Sequence, residues 1–254
     1  MYKFFKRLFD IVISLVALIV LSPVFLLMII LTAIFHGFPV IFKQPRPGKG
    51  GKIFYMYKFR SMTNKKDENG NLLPDSKRIT KFGKFIRKTS LDELPQLWNV
   101  LKGDMSLIGP RPKLIKDVTF YAPCNMKSLE VKPGITGLSV VNGRNDNTWE
   151  SMFVYNEIYV DKMSLGMDIS IIFRTVYTVL SKKGVNDGST DVIDYYYPDY
   201  LLRIGRITRE EYNMGLAKAK FIEDEFRRSK SFRKKYAISD EYEEEYDLQE
   251  KTIN

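Results

Sequence analysis

The longest apolar stretch of the chain runs from Ile11 to Phe35, 25 consecutive residues without a charge, with Ser14, Ser22 and Thr32 as its polar interruptions. A signal peptide's apolar region would span ~7 to 15 residues and end at a small-residue cleavage site. This segment lacks that pattern and is read as a retained, lipid-facing one. At ~1.5 Å per helical residue it could cross a hydrocarbon core ~30 Å thick. Ser22-Pro23 at its centre argues for a bend, because proline removes a backbone hydrogen bond and the serine hydroxyl can satisfy the freed carbonyl. Two arms of about 12 residues result, each ~18 Å long and one leaflet deep. Basic residues flank both ends, Lys3, Lys6 and Arg7 before and Lys43, Arg46, Lys49, Lys52, Lys58 and Arg60 after, so both flanks read as cytoplasmic. A re-entrant hairpin over residues 1–36 satisfies both features, and a kinked span is the alternative. His36, the single histidine, precedes Gly37 and Pro39 at a helix stop and reads as structural.

Beyond the hairpin the periodicity changes. Val40 to Phe42 and Ile53 to Tyr57 are β-branched and aromatic, and the Pro/Gly-rich stretch between them predicts a short β-hairpin. If its second strand continues, Lys58 and Arg60 share a face. Residues 63–78 carry Asn-Gly and Pro-Asp turn signals and read as a surface loop. Helical signals follow: one helix from near Pro95 to Gly103, an apolar helix over 164–180 suited to a membrane interface, and a capped helix over about 208–236 from Thr208-x-x-Glu211. The basic run after Phe226 and the acidic run from Asp240 to Asp247 read as a solvated tail. The predicted class is α+β and mostly helical, with a membrane hairpin at 1–36, a main domain at 37–180 and a charged extension at 181–254.

Charge narrows the partner. A formal charge of +10 over 254 residues points to an anion, whether nucleic acid, phosphorylated small molecule or acidic membrane. No nucleic-acid motif is present. One cysteine, Cys124, permits no internal disulfide and fits a reducing cytosol. Against this basic background Asp92 and Glu93 stand side by side in SLDELPQL. Ser90-x-x-Glu93 has capping-box spacing, yet Pro95 fits a helix that begins beside it better. Either way, two carboxylates at a helix N-terminus are favoured in their ionised form. Adjacent helical side chains point about 100° apart, which suits two separate roles. Gly109-Pro110-Arg111-Pro112 is a rigid loop presenting Arg111. VKPGITGLSVVNGRN, residues 131–145, combines Pro133, Gly134, Gly137 and Gly143 with Thr136, Asn142 and Arg144 as donors for phosphate or sugar oxygens. Walker A and Rossmann spacing are both lacking.

The runs FKQPRPGKGGKIFYMYKFRSM, KFIRKTSLDELPQLWNVLKGDMSLIGPRP and KPGITGLSVVNGRN, in this order, closely resemble the bacterial sugar transferases, the monotopic polyprenyl-phosphate phosphoglycosyl transferases, in their small form without an N-terminal multispan region. The resemblance covers about residues 3–180 and implies that the 37–180 domain is catalytic. It implies transfer of a sugar-1-phosphate from a UDP-sugar to undecaprenyl phosphate with release of UMP, at the cytoplasmic face of a bacterial inner membrane. It also implies a re-entrant hairpin bent at Ser22 and Pro23. Carried over, Asp92 is the nucleophile that attacks the β-phosphate, and Glu93 is its partner in Mg²⁺ binding or in activating the acceptor. Lys58, Arg60, Arg87, Arg111 and Arg144 match motif positions and would offset the diphosphate charge. Downstream glycosyltransferases building a capsule, exopolysaccharide, O-antigen or glycoprotein are possible further partners. Ser139-Val140-Val141 replaces the Ala-Gln-Val of many members, and Asp161 and Asp168 are not assigned catalytic roles. The competing reading is a non-catalytic membrane-docked scaffold that binds anionic lipid or nucleotide.

Overall fold

The computed structural model describes residues 1–143, 147–181, 196–229, 232–233 and 236–238. Helices α1 (Tyr2–Val20) and α2 (Ser22–His36) meet at 65°, and among the described residues no single helix is long and apolar enough to cross a membrane. The break falls at Leu21, one residue ahead of the expected Ser22-Pro23. Pro23 sits in the first turn of α2, where a missing N–H leaves no intrahelical bond unmade. No hydrogen bond from the Ser22 hydroxyl occurs among the described residues, so proline and not serine explains the bend. The apolar side chains of both helices stay largely exposed, from Phe4, Leu8 and Val12 through Val16 and Ile19 to Leu26, Ile30 and Phe35.

The start of α1 is tied to the rest of the molecule by polar contacts that its apolar sequence hides. Tyr2 Oη and Lys6 Nζ both donate to Asp168 Oδ2, at 2.7 and 2.8 Å. Arg7 donates to the carbonyls of Val100 (2.6 Å) and Leu101 (2.9 Å), and the buried Asp10 carboxylate accepts from Ser106 Oγ and the Leu107 N–H. These bonds fix the angle at which the helix pair leaves the domain.

Strands β1 (Ile41–Pro47) and β2 (Ile53–Phe59) form the expected antiparallel ribbon, with Ile41 opposite Phe59 at one end and Pro47 opposite Ile53 at the other. The first end packs on the helix pair: Phe59, Ile86 and Met28 are buried together, with Val24, Phe25, Leu91 and Leu94 around them. Short α3 (Asp75–Arg78) leads to α4 (Lys81–Lys88), capped by Thr80, whose hydroxyl accepts from the Gly83 N–H and pairs with His36 Nε2 at 2.9 Å. His36 thus joins α2 to α4, a structural role. Helix α5 (Gln96–Lys102) ends at Gly103, whose φ of 92° is the left-handed value that glycine supplies without strain. The buried Asn99 of α5 clips it to β2, accepting from the Tyr57 N–H (3.0 Å) and donating to the Tyr55 carbonyl (2.7 Å). Val100 and Met105 complete that contact against Phe54 and Met56.

Strand β3 (Ser106–Ile108) pairs in parallel with β4 (Gly134–Thr136), and the short helices α6 (Ile115–Val118) and α7 (Leu138–Val141) adjoin the pair. Helix α8 (Trp149–Lys162) follows, then α9 (Leu165–Ser181), near the expected 164–180. One side of α9 exposes Leu165, Ile169, Phe173, Val176 and Tyr177 while Asp168 and Ile171 are buried. That is the amphipathic spacing of a helix lying on an interface.

Where it is described, the extension packs against the rest of the domain. Helices α10 (Tyr197–Arg203) and α11 (Arg209–Arg228) pack Tyr197, Ala219, Ile222 and Phe226 into one core with Ile53, Ile115, Val118, Tyr121 and Trp149. Fully burying one such side chain contributes ~1.5–3 kcal/mol, so this contact is a substantial part of the domain's stability. Thr208 and Glu211 form the expected capping box, but the helix stops at Arg228 rather than near 236. Arg233 then donates to the Phe226 and Arg227 carbonyls and stacks over Tyr55 and Phe226, turning the chain back onto the ribbon. The acidic run at 240–247 lies outside the described residues.

Candidate active site

Asp92 and Glu93 sit in a single 3-10 turn, Leu91–Glu93, between α4 and α5. Ser90 adopts a φ of 57° and makes no side-chain cap, so the capping-box reading of Ser90 and Glu93 does not hold. The left-handed residue turns the chain so that Leu91 and Leu94 face the apolar cluster beneath α2. Glu93 is taken by cations: Lys58 Nζ donates to its Oε1 at 2.8 Å, and Arg111 donates through Nη2 to Oε1 and Nη1 to Oε2. Burial would raise the Glu93 carboxyl, but Arg111 and Lys58 outweigh it and hold the group well below the usual carboxylate range.

Asp92 is different. It is 7 % exposed, and burial pushes its pKa up to about 6, with the neighbouring Glu93 charge adding to the rise and Lys58, Arg87 and Arg111 opposing it. The expectation that both carboxylates are favoured as anions therefore needs correction for Asp92, because its loss of hydration outweighs the nearby positive charge. At neutral pH it is still mostly ionised, a desolvated anion set among cations.

The cations reach this point from three elements. Lys58 comes from β2. Arg87 comes from α4, its Nε donating to Ser61 Oγ at 2.9 Å, and α4 lies close because Gly83 lacks a side chain: a Cβ there would fall 1.9 Å from the Ser61 carbonyl oxygen. Arg111 is presented by Gly109–Pro112, and the glycines of the 131–145 stretch, expected to let backbone come close to a ligand, instead serve that loop. A Cβ on Gly134 would lie 2.1 Å from Gly109 N, and one on Gly137 would lie 2.1 Å from Gly109 O. The Gly109 N–H donates to the Thr136 carbonyl and the Gly134 N–H to that of Pro110. These glycines admit backbone rather than ligand.

Other expected donors are placed elsewhere. Thr136 shares a 2.7 Å hydrogen bond with Thr175, and Asn142 accepts from Arg174 at 2.6 Å while donating to the Leu138 carbonyl. Arg60 is buried and donates to the Phe38 and Pro39 carbonyls at 3.1 and 3.4 Å, closing the exit of α2 instead of facing Asp92. Arg144 lies outside the described residues. Asp168, given no catalytic part, anchors α1 and accepts from Tyr159 at 2.8 Å.

A cleft lined by Pro47, Gly48, Arg111, Lys113, Tyr121 and Asn156 among others shares Arg111 with this centre. Lys113 carried no motif signal. Its Nζ lies 4.3 Å from the centre of the Trp149 ring. Burial, with Arg111 and Arg46 nearby and Asp117 opposing, pushes its pKa down to about 8.

A magnesium ion fits this centre in part. Among the described residues no group of three His, Cys, Asp or Glu side chains could hold a metal, and both Glu93 oxygens are engaged by Lys58 and Arg111. Asp92 remains as a carboxylate ligand, and Mg²⁺ is commonly held by one or two carboxylates together with substrate phosphates and water.

A buried carboxylate thus lies among cations beside the apolar helix pair, an arrangement whose charge would suit phosphate groups. Residues 1–182 match the family model described as bacterial sugar transferase, and the chain belongs to that family. It is 49 % identical over 180 residues to an uncharacterized sugar transferase, EpsL, of Bacillus subtilis, covering 71 % of this chain and 89 % of that protein. It is 43 % identical over 201 residues to the undecaprenyl-phosphate galactose phosphotransferase of Salmonella typhimurium, covering 72 % and 42 %. Against the UDP-glucose:undecaprenyl-phosphate glucose-1-phosphate transferase of Klebsiella pneumoniae identity is 41 % over 183 residues, covering 68 % and 39 %. The chain thus spans less than half the length of the latter two relatives.

Proposed function

We propose that this protein transfers a sugar-1-phosphate from a UDP-sugar to undecaprenyl phosphate, through a phosphosugar carried on Asp92, with release of UMP. The observation that carries the reading is the division of labour in the acidic pair: Glu93 holds Lys58 and Arg111 in place, which leaves Asp92 as a buried, cation-flanked carboxylate. The names of the Salmonella and Klebsiella relatives support the donor and acceptor classes.

In the first step an Asp92 oxygen attacks the donor's β-phosphorus. The bond from that phosphorus to the oxygen bridging the α-phosphate breaks, and its electron pair leaves with UMP. In the second, an oxygen of the acceptor phosphate attacks the same phosphorus and displaces the Asp92 carboxylate. Both steps bring anions together. Lys58, Arg87 and Arg111 lower that repulsion, and they do so in a site partly shielded from water, where charge interactions are stronger. A Mg²⁺ ion bound to Asp92 and the diphosphate would supply further charge neutralisation. Two steps let a water-soluble donor and a lipid acceptor use one nucleophile in turn.

The exposed apolar faces of α1, α2 and α9 support seating in one leaflet as a re-entrant anchor, with the site at the headgroup level. Leu91 and Leu94, which flank the acidic pair, pack with Val24, Phe25 and Met28 of α2, so a lipid-borne phosphate would have a short path to Asp92. The test is UMP release by the wild-type protein in the presence of a UDP-sugar, undecaprenyl phosphate and Mg²⁺, and its loss in Asp92→Asn. A wild type that releases no UMP across a panel of UDP-sugars would return the scaffold reading.

A further inference from the structure

The cleft beside Arg111 holds a cation that the transfer chemistry has not used. Lys113 Nζ stands over the Trp149 ring, and among the described residues it makes no ion pair or hydrogen bond. Asp117, the acid that acts on it electrostatically, has its carboxylate accepting from the Leu114 and Tyr197 backbone N–H groups, both at 3.1 Å. Arg46 is held beside it by a 3.1 Å bond from Nη1 to the Pro112 carbonyl. Arg111 and Lys113 therefore both line the cleft, with Arg46 near enough to act on Lys113 electrostatically. Arg111 is already answered by Glu93, and Arg46 by Gln44 and the Pro112 carbonyl, so it is the Lys113 ammonium, held in low dielectric, that an incoming anion would meet.

Geometry says which anion. The cleft borders Pro47 and Gly48, at the opposite end of the ribbon from Ile41 and Phe59, which pack on the helix pair. Six residue steps from Ile41 to Pro47 separate the two ends, ~20 Å at ~3.3 Å per residue. Leu91 and Leu94, beside Asp92, pack on α2, while Arg111 belongs to both places, bonding Glu93 and lining the cleft. We propose that Lys113 binds the phosphate of the departing nucleotide, on a platform of Trp149 that the C-terminal segment braces. That brace is Tyr197, whose ring lies 4.9 Å from Trp149 and 5.6 Å from Tyr121. The inference rests on the reading of the site as one for a UDP-sugar.

The experiment titrates UDP into the full-length protein in detergent, for wild type, Lys113→Met and Lys113→Arg, and measures KM for donor and for undecaprenyl phosphate in the same preparations. Methionine keeps the stem on Trp149 and removes the charge; arginine keeps the charge. The expected result is a loss of UDP affinity in Lys113→Met of about 10- to 100-fold, the range for a hydrogen bond to a charged group. Donor KM should rise in parallel, acceptor KM should stay unchanged, and Lys113→Arg should bind UDP within a few-fold of wild type. Unchanged UDP affinity in Lys113→Met overturns the assignment. So does a loss that falls on acceptor KM instead, or one that Lys113→Arg shares in full, which would mark a packing role. Lys113-dependent UDP binding without UMP release from any UDP-sugar would sink the transfer reaction and leave the nucleotide-phosphate site standing.

Discussion

Replacing Asp92 by asparagine should abolish transfer and at the same time stabilise the protein. The carboxyl rises from an ordinary 3.8 to about 6 in the folded chain. That displacement is the net of burial and of the Glu93 charge, which raise it, against Lys58, Arg87 and Arg111, which lower it. The folded protein therefore holds this proton more tightly than the unfolded chain does. Below pH ~3.8 both states are protonated and no penalty arises. Between ~3.8 and ~6 the unfolded chain gives up the proton first and stability falls as pH rises, and above ~6 the penalty is constant. At ~1.4 kcal/mol per pH unit it amounts to about 3 kcal/mol at pH 8, and about 1 kcal/mol at pH 4.5. Asparagine has nearly the same shape and no charge to desolvate. For a chain of this size 1 kcal/mol is worth ~2–4 °C in Tm, so thermal melts of detergent-solubilised Asp92→Asn should lie about 6–12 °C above wild type at pH 8. The gain should shrink by more than half at pH 4.5. A variant no more stable than wild type at pH 8, or a gain that does not depend on pH, would refute the claim that Asp92 is held as a strained anion.

Further outcomes follow from the same geometry. Glu93→Gln takes the counter-charge from Lys58 and Arg111 and should cost about 1.5–3 kcal/mol in a denaturant titration; because the Glu93 charge helps to raise Asp92, the acid limb of the kcat/KM profile should move below its wild-type position near pH 6. Gly83→Ala places a Cβ against the Ser61 carbonyl, and should destabilise by about 1–3 kcal/mol and slow UMP release by moving α4 and Arg87. Ending the chain before residue 196 uncovers Tyr121, Trp149 and their neighbours. The truncated protein should lose its cooperative melt, and retention of both melt and activity would mean that the C-terminal packing is dispensable.

Local signals carried the elements whose causes are local. The break near Pro23, the ribbon over 41–59, the end of α5 at Gly103 and the cap at Thr208 each follow from residues adjacent in sequence. Roles set by distant partners were not legible. Glu93 has capping-box spacing from Ser90, and only the fold brings Lys58, 35 residues away, and Arg111, 18 residues away, to claim its carboxylate. Gly134 and Gly137 advertise close backbone approach without saying that the approaching backbone is Gly109. Arg60 matches a motif position, yet a turn at the strand end sends it to carbonyls at the exit of α2. The amphipathic pattern of α11 showed that one face is covered but not by what, and its charged flanks pointed to solvent. Lys113 had no signal at all, since a lone lysine acquires meaning from the tryptophan beneath it and the arginines beside it.

The claim at the centre of this account is that Asp92 carries the sugar phosphate between donor and acceptor. Intact-protein and peptide mass spectrometry of the wild type, incubated with its UDP-sugar and Mg²⁺ while the acceptor is withheld, tests it directly. One phosphosugar should be added per chain, located on the peptide containing Asp92, released on addition of undecaprenyl phosphate and absent from Asp92→Asn. Full turnover with no trapped adduct, or an adduct that persists in Asp92→Asn, would contradict it.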